Sequence, residues 1–314
     1  MVSLEQVKNV LLGILLAAFA AALALFPAEA SDAARQGLRL FLQTVLPSLF
    51  PFFVLSSLCV STGAADALGR RLEGMMRPLF SLGGAGAGAL ALGLVGGYPV
   101  GARTVAELYR GGALSKEDAE RLLGFCNNAG PGFILGVCGG AVFGDARAGA
   151  YLYLVHVAAA VLTGVVLCRC APPGRTQAAH RPAPARQKRP AASFPAVVRD
   201  SFAAVWSVCG FVVLFAVVLR FVTLLLPAGA ADMPWYPLLL GSIELTNGVA
   251  ALSPGRGGFV LCAALLGWGG LSVHAQTLSV LEGSELSARW YFLGKIIQAA
   301  LSAPLAWLAA NWLF

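Results

Sequence analysis

The residues of this chain that can do chemistry are polar groups set inside long apolar stretches. Arg103 follows the turn residues Gly97, Tyr98 and Pro99. Its guanidinium can act as counter-charge for an anionic solute, or pair with Glu107 four residues on along a helix. Asn127 and Asn128 precede Gly130-Pro131. Amides donate and accept, so this pair can read a carboxylate or a ring nitrogen, or cap the end of a broken helix. Glu244, with Thr246 and Asn247, is the only acid between Trp235 and Leu252. It is a candidate coupling site for a proton or sodium ion, or a partner for Arg220 or Lys295. Ser272 and Gln276 lie four residues apart and share a helix face. His274 between them is either a titrating group beside a cavity or a buried ring satisfied by a neighbour. Polar groups at membrane depth are costly and need a reason.

The surroundings make membrane depth the expected setting. Hydrophobic residues form 58% of the 314 and charged residues only 12%, against about 25% charged in an ordinary soluble domain. A spanning helix needs roughly 20 apolar residues. Val7–Phe26, Leu38–Val60, Ala148–Cys168, Phe202–Leu226 and Trp290–Phe314 qualify. Val7–Phe26 is read as a retained first helix, although Ala28-Glu29-Ala30 resembles a cleavage site.

Helix breakers recur within these stretches. G-G-Y-P-V-G-A-R-T-V (96–105) and G-G-L-S-V-H-A-Q-T-L (269–278) share Gly96/Gly269, Gly97/Gly270, Val100/Val273, Ala102/Ala275 and Thr104/Thr277. A Leu-Ser pair follows each, at Leu114-Ser115 and Leu286-Ser287. Breakers repeated in two halves of an apolar chain suit transporters, whose discontinuous helices offer N–H groups to anions and carbonyls to cations. Gly83–Gly97 is too short to cross comfortably and is expected to form a hairpin whose Gly96–Pro99 turn faces the interior, because irregular backbone is not tolerated against lipid. Pro47 and Pro51 should kink their helix. Ser115 with Asp118 reads as a helix N-cap, and that helix should stop before Pro131. E-L-T-N-G (244–248) is a further break, whereas Gln298 and Ser302-Ala303-Pro304 stand where the Asn-Asn break would recur.

The expected organisation is a leading helix and loop (1–35), a first gate-like repeat (36–170), a basic Pro-rich linker (171–196) and a second repeat (197–314). From Arg169 to Arg199 there are seven basic residues and no acid. The positive-inside rule assigns such a segment to the cytoplasm, and nothing around it resembles a nucleic-acid-binding module. The seven cysteines lack metal-ligand spacing, so neither a metal nor another cofactor is expected. No nucleotide-binding loop, H-E-x-x-H or G-x-S-x-G is present; an enzyme is not expected. The partners implied are a small anionic substrate and the lipid bilayer, with a homo-oligomer allowed and no nucleic acid.

G-G-Y-P-V-G-A-R (96–103), L-S-K-E-D-A-E-R-L-L-G-F-C-N-N-A-G-P-G-F-I-L-G (114–136), E-L-T-N-G and G-G-L-S-V-H-A-Q (269–276) closely resemble the YlbJ (SpoVV) family of sporulation integral membrane proteins. That family is grouped with nucleoside-recognition gate-domain proteins. The resemblance implies an all-α polytopic membrane protein akin to concentrative nucleoside transporters. It also implies export of dipicolinate from the mother cell, across the outer forespore membrane, during endospore formation. A nucleoside transporter and a non-transporting scaffold working through the basic linker are the rival expectations.

Overall fold

The computed structural model describes residues 4–62, 64–170 and 193–314, and every regular element among them is helical. The protein is an all-α integral membrane protein. Four helices are long and apolar enough to cross a bilayer: Ala146–Cys170, Phe194–Leu224, Arg256–Leu281 and Arg289–Ala310. A fifth crossing is available if the bent pair Asn9–Leu25 and Pro27–Val45, meeting at 99°, counts as one. Large apolar side chains such as Leu11, Ile14, Leu154 and Trp307 are exposed on these helices, as expected where lipid is the solvent.

The bend falls where Pro27 opens α2 (Pro27–Leu40) after α1 (Leu4–Leu25). Residues 27–35, read from the sequence as loop, are therefore the first turns of α2. That helix runs through a π-helical segment, Phe41–Val45, into α3 (Leu46–Ser61). Pro47 has no N–H, and its ring crowds the carbonyl four residues back, inside the π segment; a shifted ladder is the usual remedy. The apolar face of this region, including Phe41, Val45 and Phe53, packs on Val205, Val208 and Val212 of α9 (Phe194–Leu224). Glu29 of α2 pairs with Arg220 of α9 at 2.6 Å. The basic linker lies largely outside the described residues; only its last turn is visible, as the start of α9.

After α4 (Ala64–Phe80), one sequence of elements occurs twice. A hairpin comes first, of α5 (Gly84–Gly96) and α6 (Val100–Arg110), which pack on one another. An interrupted helix follows: α7 (Lys116–Cys126), a break, and a π-helical segment Gly132–Val142. A long helix, α8 (Ala146–Cys170), closes the set. In the second half, α10 (Tyr236–Ile243) and α11 (Leu245–Ala250) form the hairpin. The interrupted helix is α12 (Arg256–Trp268) with α13 (Gly270–Leu281), and α14 (Arg289–Ala310) is the long helix. By element order, the Gly-Gly break at 269–270 thus matches the Asn127–Pro131 break, not the Gly96–Pro99 turn whose sequence it shares. That shared sequence marks a common backbone need, a buried turn, in two different elements.

Local signals behave as their chemistry requires. Ser115 Oγ accepts from the Asp118 N–H at 3.1 Å and caps α7. Ser287 Oγ accepts from the Arg289 N–H at 3.2 Å at the start of α14. The crossing of α7 and α14 is very close: a Cβ on Gly294 would overlap the backbone of Gly124. Only glycine permits this approach, and it brings the buried face of α14 against the end of α7.

Candidate functional site

Four helix breaks meet inside the molecule. Gly97 has φ 76°, and a Cβ there would sit 2.9 Å from the Gly130 nitrogen, so the hairpin tip rests directly on the α7 break. Gly270, at φ 81°, makes the same kind of contact with the Gly241 carbonyl and the Leu245 nitrogen. The two halves join through Tyr98, whose hydroxyl donates to the Leu266 carbonyl at 3.0 Å.

A cavity of about 50 Å³ lies at this junction. Of the residues singled out in the sequence, Tyr98, Gly130, Glu244, Thr246, Ser272 and Gln276 line it. The rest of its wall is mostly apolar, with Val45 and Leu49 from the π segment and α3, Val208 and Val212 from α9, and Phe133. These contributions carry no polar signal and were not legible as site residues. The space takes a few waters and is too small for an aromatic ring. The first turns of the 132–142 segment and of α13 border it through Gly130, Phe133, Ser272 and Val273. Helix N-termini carry about half a positive charge and unpaired N–H groups, which favour an anion.

Glu244 is buried and caps α11. Its Oε2 accepts from the backbone N–H of Asn247 at 2.8 Å and from the Asn247 side chain at 2.7 Å, while Ser272 Oγ donates to Oε1 at 3.5 Å. It pairs with neither Arg220, which holds Glu29, nor Lys295. Asn247 serves the site by holding Glu244 and does not itself line the cavity.

Behind the cavity runs a buried polar network. Lys295 Nζ donates to the Asn127 carbonyl at 2.6 Å and to Gln298 Oε1 at 2.7 Å. Gln298 Nε2 donates to Asn128 Oδ1 at 2.9 Å, and Asn128 Nδ2 donates to the Phe125 carbonyl at 2.8 Å. Asn127 Nδ2 donates to Thr277 Oγ1 at 2.8 Å. Asn128 therefore caps the broken helix and joins it to α14, while Asn127 ties the break to α13 and accepts from the Ala102 N–H of α6 at 3.4 Å; neither lines the cavity. His156 Nε2 accepts from the Ala129 N–H at 3.1 Å and ties the same break to α8.

For Arg103 and His274 the structure shows the second of the two alternatives read from the sequence. Arg103 points outward, its side chain 62% exposed, and pairs with Glu107 at 3.3 Å. On α6 the buried face is Gly101, Ala102, Val105 and Ala106, which places 103 and 107 on the opposite side, away from the cavity. His274 does not border the cavity. Its ring is buried against Trp268, Tyr291 and Phe292, with Nδ1 2.8 Å from the Tyr291 hydroxyl. Gly97 and Pro99 shape the hairpin tip without lining the cavity. The residue that sequence reading passed over is Lys295, which it weighed only as a partner for Glu244.

Comparison with known proteins agrees with this architecture. The family model described as "Gate: Nucleoside recognition" matches residues 42–168, from the π segment to the end of α8. "Sporulation integral membrane protein YlbJ" of Bacillus subtilis (strain 168) is 29% identical over 312 residues, covering 88% of this chain and 76% of the relative. No solved structure matches. The resemblance to the YlbJ family read from the motifs is thus matched by similarity along most of the chain, and residues 42–168 of this integral membrane protein are similar to the Gate model.

Proposed function

We propose that the protein is a secondary transporter or facilitator of a small anionic solute, not an enzyme. The proposed solute is dipicolinate, exported from the mother cell across the outer forespore membrane during endospore formation. The observation that carries this reading is the meeting of four helix breaks, two from each half, at one cavity. Unwound backbone at membrane depth is tolerated where it serves a solute path, and two half-helix N-termini at the cavity suit a carboxylate. The relative's name supports the sporulation setting. Glu244, the buried acid of the wall, is the proposed coupling-ion site.

A nucleoside is the second reading, favoured by the description of the matching family model. Uptake of labelled dipicolinate and of uridine into liposomes holding the purified protein separates the two. Saturable dipicolinate entry is expected. Uridine entry alone would move the protein to the nucleoside class, and entry of neither, under pH and sodium gradients, would overturn the transporter reading.

A further inference from the structure

With Arg103 outside, the anion reading lacks a cation unless the interior supplies one. Lys295 is fully buried. Its three N–H donors meet two oxygens, the Asn127 carbonyl and Gln298 Oε1. No Asp or Glu among the described residues pairs with it. Its ionisable neighbours are Cys126, a weakly acidic thiol, and His156 and His274; none is a carboxylate. Glu244 is already engaged by Asn247 and Ser272.

The C-terminal end of α7 offers some compensation, because a helix end carries about half a negative charge. In its charged form the buried amine is then only partly neutralised. An unpaired buried charge is costly, so the amine either gives up its proton or gains from an anionic partner arriving from outside. Ser302, also fully buried on α14, has a hydroxyl without a hydrogen-bond partner. It follows Lys295 and Gln298 along the α14 face at spacings of three and four residues, so all three share one side of the helix.

Geometry joins this group to the cavity. The Tyr98 ring lines the cavity, and its centroid lies 5.6 Å from Lys295 Nζ. The aromatic face offers the amine a weak electrostatic partner and stands beside it at the cavity wall. The ring is held by a single hydroxyl bond to Leu266.

We propose that Lys295 is the fixed cation that makes this site select carboxylates, and that the Tyr98 ring must shift for a carboxylate to reach it. The inference rests on the transporter reading and names the residue that sets its charge specificity. A planar carboxylate places one carboxyl group at Lys295 and Gln298 and its ring against Tyr98 and Phe133. A neutral solute has no use for the amine.

The test is liposome uptake of dipicolinate and uridine by the full chain, wild type against Lys295→Met, Lys295→Arg and Gln298→Glu. Lys295→Met is expected to lose at least about tenfold in dipicolinate uptake, the equivalent of about 1.4 kcal/mol, with Lys295→Arg retaining more than Lys295→Met. Gln298→Glu sets a carboxylate beside the amine. It is expected to raise the thermal midpoint while lowering dipicolinate uptake, because the cation then has an internal partner. This variant also decides the matter if Lys295→Met does not fold. Wild-type dipicolinate uptake in folded Lys295→Met, or in Gln298→Glu, would overturn the inference while leaving the transporter standing. A wild-type protein that moves neither solute would overturn the transporter reading itself.

Discussion

The two interrupted helices, α7 with 132–142 and α12 with α13, solve the same problem differently. Each leaves carbonyls unpaired at its broken C-terminal end. At the first break the Asn127 carbonyl accepts from Lys295, and the Asn128 side chain donates to the Phe125 carbonyl. At the second, two left-handed glycines make the turn, the Leu266 carbonyl accepts from the neutral Tyr98 hydroxyl, and Trp268 Nε1 donates to Ser242 at 3.1 Å. One break is capped by an ionisable amine and the other by neutral donors. The difference teaches that the pairing of halves is geometric, while the ionisable amine caps one break only. A site that must recognise a charged solute has a use for that inequality; a structural pair of breaks does not.

The comparison can be broken most severely at the crossing that delivers Lys295. Gly294→Leu forces a side chain into the Gly124 backbone, which nothing flexible relieves. We expect a loss of several kcal/mol, beyond the roughly 0.5–3 kcal/mol of ordinary substitutions, read as failure to recover a monodisperse folded protein. Normal folding would contradict the crossing. Asn127→Ala removes the side-chain bond to Thr277 while leaving the carbonyl that holds Lys295. Leaving a buried polar partner unsatisfied costs about 1–3 kcal/mol, visible as a lower thermal midpoint; an unchanged midpoint would show that the network is not stabilising.

Glu244→Ala tests the hairpin opposite. Loss of an N-cap acceptor costs about 0.5–2 kcal/mol, and Glu244→Gln should recover part of it. If Glu244 also couples an ion, Glu244→Gln abolishes gradient-driven accumulation and spares exchange of solute. The smallest effect is expected from Arg103→Ala. An exposed ion pair contributes about 0–1 kcal/mol, so stability and dipicolinate uptake should stay near wild type. A tenfold fall in uptake would restore Arg103 to the site.

Much of this architecture was legible because breakers declare themselves by residue type. Gly96–Pro99, Asn127–Pro131, Glu244–Asn247 and Gly269–Gly270 all end or interrupt helices as their chemistry dictates, and Ser115 caps the helix it was expected to cap. The orientation of Arg103 was legible too, since small and apolar residues at 101, 102, 105 and 106 leave 103 and 107 on the outer face. Lys295 was not. A single lysine in an apolar helix gives no local sign of burial; its position depends on Gly124 and Gly294 meeting across 170 residues of sequence. The equivalence of the breaks was hidden for a similar reason. Sequence likeness joined the Gly-Gly turns, but only packing distinguishes a hairpin tip from an interruption in a longer helix.

The central claim, that the junction of the breaks is the solute site, is tested most directly by protection from thiol labelling. Gln276→Cys, in a background without reactive native cysteines, places a thiol on the cavity wall; Arg103→Cys places one on the outer face as control. Saturating dipicolinate should slow modification of Gln276→Cys by about tenfold, as expected for a bound solute covering the thiol for most of the time, and leave Arg103→Cys unaffected. Equal labelling of Gln276→Cys with and without dipicolinate, in protein that transports it, would contradict the account and place the solute path elsewhere.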